Sequence, residues 1–302
     1  MHILITGGAG FVGSVLVPRL LAEGHHVTVL DSFLYRENSL AACCAHPNFD
    51  VYRVDCRDIP AVRPYLKDAD VVIPLAGLVG APVGDLNPVD AELLNLRAQI
   101  SLFLQLSAQQ LVIMPTTESS YGKNAAICTE ETPLNPLSTY ARHKVKVEEA
   151  LMDRLNSTSL RLATVFGMSP RMRLDLLIND FVWKAVKEKS IVVFEGHYTR
   201  TSVHVSDVAR AFIHALDLEP GQIYNVGAVT TTKIELCKAI QKQVQFAYIE
   251  GAIGWDSDQR NYHVSDAKFR ATGFQPFVTL DQGITELVKG YRTITNTRYG
   301  NV

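Results

Sequence analysis

The chain has 302 residues, 47% hydrophobic and 20% charged, which is enough apolar material for one large α/β domain or two smaller units. The formal net charge is −2, with no basic stripe and no charged tail, and this argues against a nucleic-acid partner. Five cysteines, an odd number without paired metal-type spacing, argue against a disulfide framework and fit a reducing cytoplasm.

The first predicted strand, His2–Thr6, runs into Gly7, Gly10 and Gly13, and a helix is predicted over Gly13–Glu23. No Lys or Arg precedes the apolar start, and glycines interrupt it, so it does not read as a signal peptide. Between a strand and a helix, the first glycine permits a tight turn and the second lets backbone approach a pyrophosphate. The third lets the helix pack close, with its N-terminus facing the negative charge. The second predicted strand, His26–Asp31, ends in a carboxylate eighteen residues beyond Gly13. An acid there accepts hydrogen bonds from an adenosine ribose and repels a 2′-phosphate, so NAD is expected over NADP. After the third strand, Asp50–Val54, Asp55 is placed to reach an adenine amino group and Asp58 to cap a helix.

The fourth strand, Asp70–Leu75, opens an apolar run over Val71–Val83 that holds two prolines and two glycines and is too short to span a membrane. A helix is predicted over Val89–Ser107. The fifth strand, Leu111–Pro115, leads into the hydroxyl-rich stretch PTTESSYG. A further helix, Thr139–Leu155, carries Tyr140 and Lys144 four residues apart, hence on one face. An ammonium beside a phenol favours the phenolate, and such a pair suits proton exchange with an alcohol while a hydride moves. The sixth strand is Ser159–Thr164. This alternation predicts an α/β fold with a doubly wound parallel sheet. Beyond about residue 165 the alternation is irregular, with helices over Leu174–Lys187 and Lys233–Val244. The expected organisation is a nucleotide-binding domain over 1–165 with a return segment at about 200–217, a smaller α/β substrate lobe over 166–302, and a peripheral tail from Tyr291. His25, His26, His143 and His204 read as turn or packing residues, and no grouping has metal-ligand spacing.

In order and spacing, TGGAGFVG, TTESSYG and YARHK resemble the extended short-chain dehydrogenase/reductase family, with its Rossmann-type sheet. More narrowly they resemble its NAD-dependent sugar-nucleotide epimerase/dehydratase branch, as do LAGLVGAP, RLATVFG, RTSVHVSDVARA and QRNYHVSDAK. The resemblance implies Thr117, Tyr140 and Lys144 as catalytic residues. It extends the cofactor set to Phe11, Val12, Cys56, Leu75, Ala76 and Asn95, beside the glycines, Asp31 and Asp55, and places Tyr140 and Lys144 on the cofactor as well. It also implies Arg200 and Arg260 on a nucleotide diphosphate and Asn179 on the substrate. Dehydratases of the branch carry a glutamate two residues after the catalytic threonine. Ser119 stands there, and Glu118, one residue earlier, could fill only the place of the acid, so dehydration is disfavoured. Many epimerases of the branch have Asn where Thr164 stands, which weakens a direct transfer of their substrate pose. The segments RLATVFGMSPRMRLDLLIND, VIPLAGLVGAP and DQRNYHVSDAK look most similar to GDP-heptose 4-dehydrogenases of bacterial polysaccharide pathways. The implied activity is oxidation or epimerisation at C4 of a nucleotide sugar, in a cytoplasmic homodimer paired through the helices over 89–107 and 139–155.

Overall fold

A computed structural model describes residues 1–79, 86–251 and 261–294. Its strands are β1 (His2–Thr6), β2 (His26–Asp31), β3 (Phe49–Arg53), β4 (Val71–Pro74), β5 (Leu111–Thr117), β6 (Lys123–Cys128), β7 (Ser157–Leu162), β8 (Thr164–Phe166), β9 (Ser190–Val193), β10 (Thr199–His204), β11 (Gln222–Val226), β12 (Val229–Thr232), β13 (Ala247–Glu250) and β14 (Asn261–Val264). Its helices are α1 (Gly13–Ala22), α2 (Ile59–Leu66), α3 (Pro88–Glu92), α4 (Ala98–Phe103), α5 (Thr139–Met152), α6 (Leu177–Lys187), α7 (Val205–Ala215), α8 (Lys233–Gln241), α9 (Ala267–Arg270) and α10 (Leu280–Thr293).

Seven strands form one sheet in the order β11-β7-β5-β4-β1-β2-β3, and every pairing in it is parallel. The chain builds outward from β1 to β3, then returns to the other side of β1 through β4. The crevice at the carboxyl ends of β1 and β4 is therefore the switch point where such sheets bind ligands. Side chains alternate across the sheet. Ile3 and Ile5 pack on one face with Leu16, Leu20, Val208 and Phe212 of α1 and α7. Leu4, Val72 and Val112 pack on the other with Leu102, Val147 and Leu151 of α4 and α5. A second apolar core gathers Phe166, Val182, Leu236 and Ile284 with Phe11 from the turn after β1.

Three local outcomes differ from expectation. The predicted sixth strand is two: β7 joins the large sheet, while β8 pairs with β10 in a three-stranded sheet, the chain switching sheets at Ala163. The helix expected over 89–107 is broken by a π-helical turn at Leu93–Arg97. The return to the large sheet runs past 217, because its outermost strand is β11.

A buried polar network fastens α5 to the sheet. Glu148 accepts from Arg161 Nε (3.0 Å), Thr116 Oγ1 (2.8 Å) and Ser159 Oγ (2.6 Å). Arg161 also donates to Tyr121 OH (2.8 Å), which donates to Asn225 Oδ1 (2.7 Å). A buried ion pair is tolerable only when its remaining oxygens and hydrogens are satisfied, as they are for Glu148. The result is a fixed distance between the end of β5 and the face of α5 that looks onto it. Among the described residues, no helix is long and apolar enough to cross a membrane.

Candidate active site

The turn after β1 needs its glycines for space. Gly7 has φ +71°, and a Cβ there would lie 2.5 Å from the backbone of Ala76 at the exit of β4. A Cβ on Gly13 would lie 2.4 Å from the carbonyl oxygen of Gly8, so only glycine lets α1 start against the turn. Asp31, the last residue of β2, accepts from Ala9 N (2.9 Å) and Phe33 N (2.7 Å). It thereby holds the turn while lining the cleft. Burial raises its pKa; the two amides and Arg171 act in the opposite direction. Phe11, Val12, Leu75 and Ala76 line the same cleft, as do Asp55 and Cys56. Arg57 grips Asp55 through Nε (3.0 Å) and Nη2 (2.6 Å), and these hydrogen bonds pull its pKa below the usual carboxylate range. Burial pushes the Cys56 thiol up to about 12. Asp58 caps α2 through Ala61 N (3.2 Å). Asn95 is not on the cleft: from the π turn it accepts from Leu78 N (2.8 Å) and donates to Leu78 O (2.8 Å), so it holds the loop after β4.

The carboxyl end of β5 and the first turns of α5 bring the three expected catalytic residues together. Thr117 Oγ1 accepts from Ser119 N (3.1 Å) and donates to Ser119 Oγ (3.0 Å), and this fixes the hydroxyl at the strand end. Ser138 caps α5 through Ala141 N (3.2 Å), which sets Tyr140 in the first turn and Lys144 one turn on. Lys144 Nζ donates to Pro115 O (2.9 Å), and burial brings its pKa down to about 8. Thr117, Tyr140 and Lys144 line one cleft of about 1480 Å³ that also holds the glycine turn and Asp31. Ser119 lines it too. Glu118 does not: it is fully buried, with Oε1 3.5 Å from where a Cβ on Gly227 would stand. The expectation that Glu118 could serve as an acid here is therefore corrected, because successive residues of the 3₁₀ turn Glu118–Tyr121 point to different sides.

On the far side of the cleft Arg200 is buried and donates to Thr199 O (3.1 Å), and Thr164 lies on the same wall. Asn179 is elsewhere. Its Oδ1 accepts from Gly167 N (3.0 Å) and its Nδ2 donates to Arg173 O (2.8 Å), while the next residue, Asp180, lines the cleft. Arg260 lies outside the described residues. His204 is structural, with Nε2 2.7 Å from Glu286 Oε2, and the described residues hold no metal-type cluster.

Sequence reasoning missed a strap, the segment 167–176. Ser169 Oγ donates to Phe11 O (2.7 Å), and Arg171 N donates to Ser14 Oγ (3.4 Å). The Arg171 guanidinium lies 3.7 Å from the Tyr35 ring centroid, and Arg173 donates to Val79 O (3.3 Å) and pairs with Asp175. The strap thus touches the loops after β4, β1 and β2, the three adjacent strands of the switch point. Its sequence signal was two arginines flanking Met172 just after the strand ending in Phe166.

A dinucleotide fits this arrangement: the glycine turn leaves the space a Cβ would fill, α1 points its N-terminus there, and Asp31 waits at the ribose end. A phenol, a lysine and a threonine hydroxyl at the opposite end define a dinucleotide-dependent oxidoreductase of the short-chain type. More narrowly, the chain belongs to the NAD dependent epimerase/dehydratase family, whose model matches residues 3–227. It is 29% identical over 310 residues to UDP-glucuronic acid decarboxylase 2 of Arabidopsis thaliana, covering 97% of this chain and 68% of that protein. Its fold matches the NAD complex of Thermus thermophilus UDP-glucose 4-epimerase with TM-score 0.84 and 27% identity, over 97% of this chain and 99% of the other. It matches the dTDP-glucose 4,6-dehydratase DesIV of Streptomyces venezuelae, solved with NAD, with TM-score 0.87 and 25% identity, over 97% of both chains. These relatives carry UDP and dTDP sugars in their names, not a GDP-heptose.

Asp31→Ser is expected to lower the NAD-to-NADP affinity ratio about tenfold or more, the worth of a charged hydrogen bond. Fluorescence titration with both dinucleotides reads it. An unchanged ratio would remove Asp31 from the ribose.

Proposed function

We propose that this enzyme oxidises C4 of a nucleotide-diphosphate sugar, as a 4-dehydrogenase. NAD, when bound, supplies the hydride acceptor. Tyr140 removes the proton of the sugar 4-hydroxyl, Lys144 holds positive charge beside the phenolate, and Thr117 orients the sugar oxygen. The observation that carries this reading is the pair of directions at 118 and 119. Ser119 faces the cleft and Glu118 does not, so the turn offers no carboxylate to remove a carbon-bound proton for elimination. A GDP-heptose is the substrate favoured by sequence resemblance, and Arg200 serves its diphosphate.

The alternative, 4-epimerisation, is favoured by the strap. A dinucleotide enclosed beneath Arg171 and Arg173 exchanges slowly, which suits a cycle that returns its hydride. We further read the protein as a cytoplasmic homodimer. All five cysteines are free thiols, and Val89, Leu93 and Leu104 leave apolar surface on the helical segment over 88–104.

The deciding experiment incubates the enzyme and NAD with GDP-heptose, UDP-glucose and UDP-glucuronic acid, following NADH absorbance and product mass together. Accumulating NADH with a 4-keto product supports the dehydrogenase, and a new isomer without NADH supports the epimerase. Loss of one water from the sugar would overturn both.

A further inference from the structure

One cation in the cleft is not used by this chemistry. Lys233 opens α8, is 3% exposed and lines the cleft on the wall that carries Val192, Phe194 and Arg200. Its Nζ donates to Phe194 O (2.8 Å), lies 3.9 Å from Glu195 Oε2 and sits 5.9 Å from the Tyr198 ring centroid. The N-terminus of a helix is the positive end of the macrodipole, so the helix itself offers a cation there nothing. The start of α8 is already secured by a capping box between Thr232 and Glu235. Lys233 is not needed to begin the helix.

The cleft runs from Asp31 past Tyr140 to this wall. The Asp31 end belongs to the dinucleotide, so the Lys233 end faces the far part of the second nucleotide. With Glu195 close by, the ammonium is a poor trap for a phosphate but a good partner for a neutral acceptor. Arg200, on the same wall, is the better fit to phosphate oxygens. An ammonium only donates. It can meet guanine O6 and N7 or uracil O4, and it opposes the amino group that cytosine presents at the equivalent edge. Phe194 is an aromatic residue lining the same wall of the cleft.

We infer that Lys233 reads the nucleobase of the substrate, selecting a base with a keto oxygen on the edge away from the ribose over one with an amino group there. This rests on the nucleotide-sugar reading above.

Calorimetric titration of the NAD-saturated full chain with GDP, UDP and CDP, at low and high salt, tests it. The tighter of GDP and UDP is expected to bind about tenfold or more better than CDP, and which of the two is tighter names the base. Lys233→Arg should keep that margin. Lys233→Gln, whose amide can also accept, should bring CDP to within about threefold by tightening it, a gain that misfolding cannot produce. Retained NAD binding checks each variant. CDP binding as tightly as the better keto nucleotide overturns the inference alone. So does a Lys233→Gln protein that loses all three ligands equally with a weaker salt dependence, because that is the signature of a phosphate contact. If none of the three binds wild-type protein, the nucleotide-sugar reading falls with it.

Discussion

Tyr140→Phe is expected to lower kcat about 10²–10⁴-fold, the usual worth of a positioned general base, with NAD affinity almost unchanged. The substitution removes one oxygen and keeps the ring, so α5 and its capping by Ser138 stay as they are. Because the phenolate acts on the proton that leaves in the transition state, kcat and kcat/KM should fall together. Single-turnover NADH formation with the substrate found in the panel above is the direct measurement. Turnover within about tenfold of wild type would take Tyr140 out of the mechanism, and with it the argument that the C4 hydroxyl is the reacting group.

Lys144→Met is expected to collapse turnover and to make the NAD-free protein more stable at pH 7. Burial lowers the Lys144 pKa from 10.5 to about 8, and that difference corresponds to roughly 3 kcal/mol. The sign follows from proton counting. Below pH 8 the lysine is charged in both states, and the folded state bears the full penalty of a buried ammonium. Between pH 8 and 10.5 the unfolded state holds more protons, so wild-type stability from this group rises with pH and the penalty fades. Methionine removes the penalty but leaves Pro115 O without its donor, which returns about 1 kcal/mol. The net gain at pH 7 is therefore roughly 2 kcal/mol, and the gap to wild type should close as pH climbs through that window. Denaturant titrations at pH 7 and pH 10 measure both quantities. A variant less stable than wild type at pH 7, with a gap that ignores pH, would mean that Lys144 is not carrying a buried charge.

The parts of the site that were legible in the sequence are those whose geometry is local. A glycine turn between a strand and a helix, an acid at a strand end, and a tyrosine and lysine one helical turn apart each have their shape set within a few residues. What was not legible depends on distant partners. Asn95 and Asn179 are polar residues at plausible positions, yet both spend their amides on backbone of other segments. Nothing in TES tells which of Glu118 and Ser119 faces the cleft, because a 3₁₀ turn has neither the period of a strand nor that of an α-helix. The segment SLRLAT reads as one strand, and only the arrival of β10 and β11 from elsewhere shows that the chain here serves two sheets. The strap was invisible for the same reason: its contacts are with the distant loops after β1, β2 and β4.

The position of β11 has a consequence for how the protein is made. During synthesis β7 leaves the ribosome with its outer edge unpaired, because the strand that covers it ends at Val226, about sixty residues later. At 5–20 residues per second that is roughly 3 to 13 seconds in which an open strand edge is offered to neighbouring nascent chains. Translation speed between Leu162 and Val226 should therefore govern how much of this enzyme escapes aggregation.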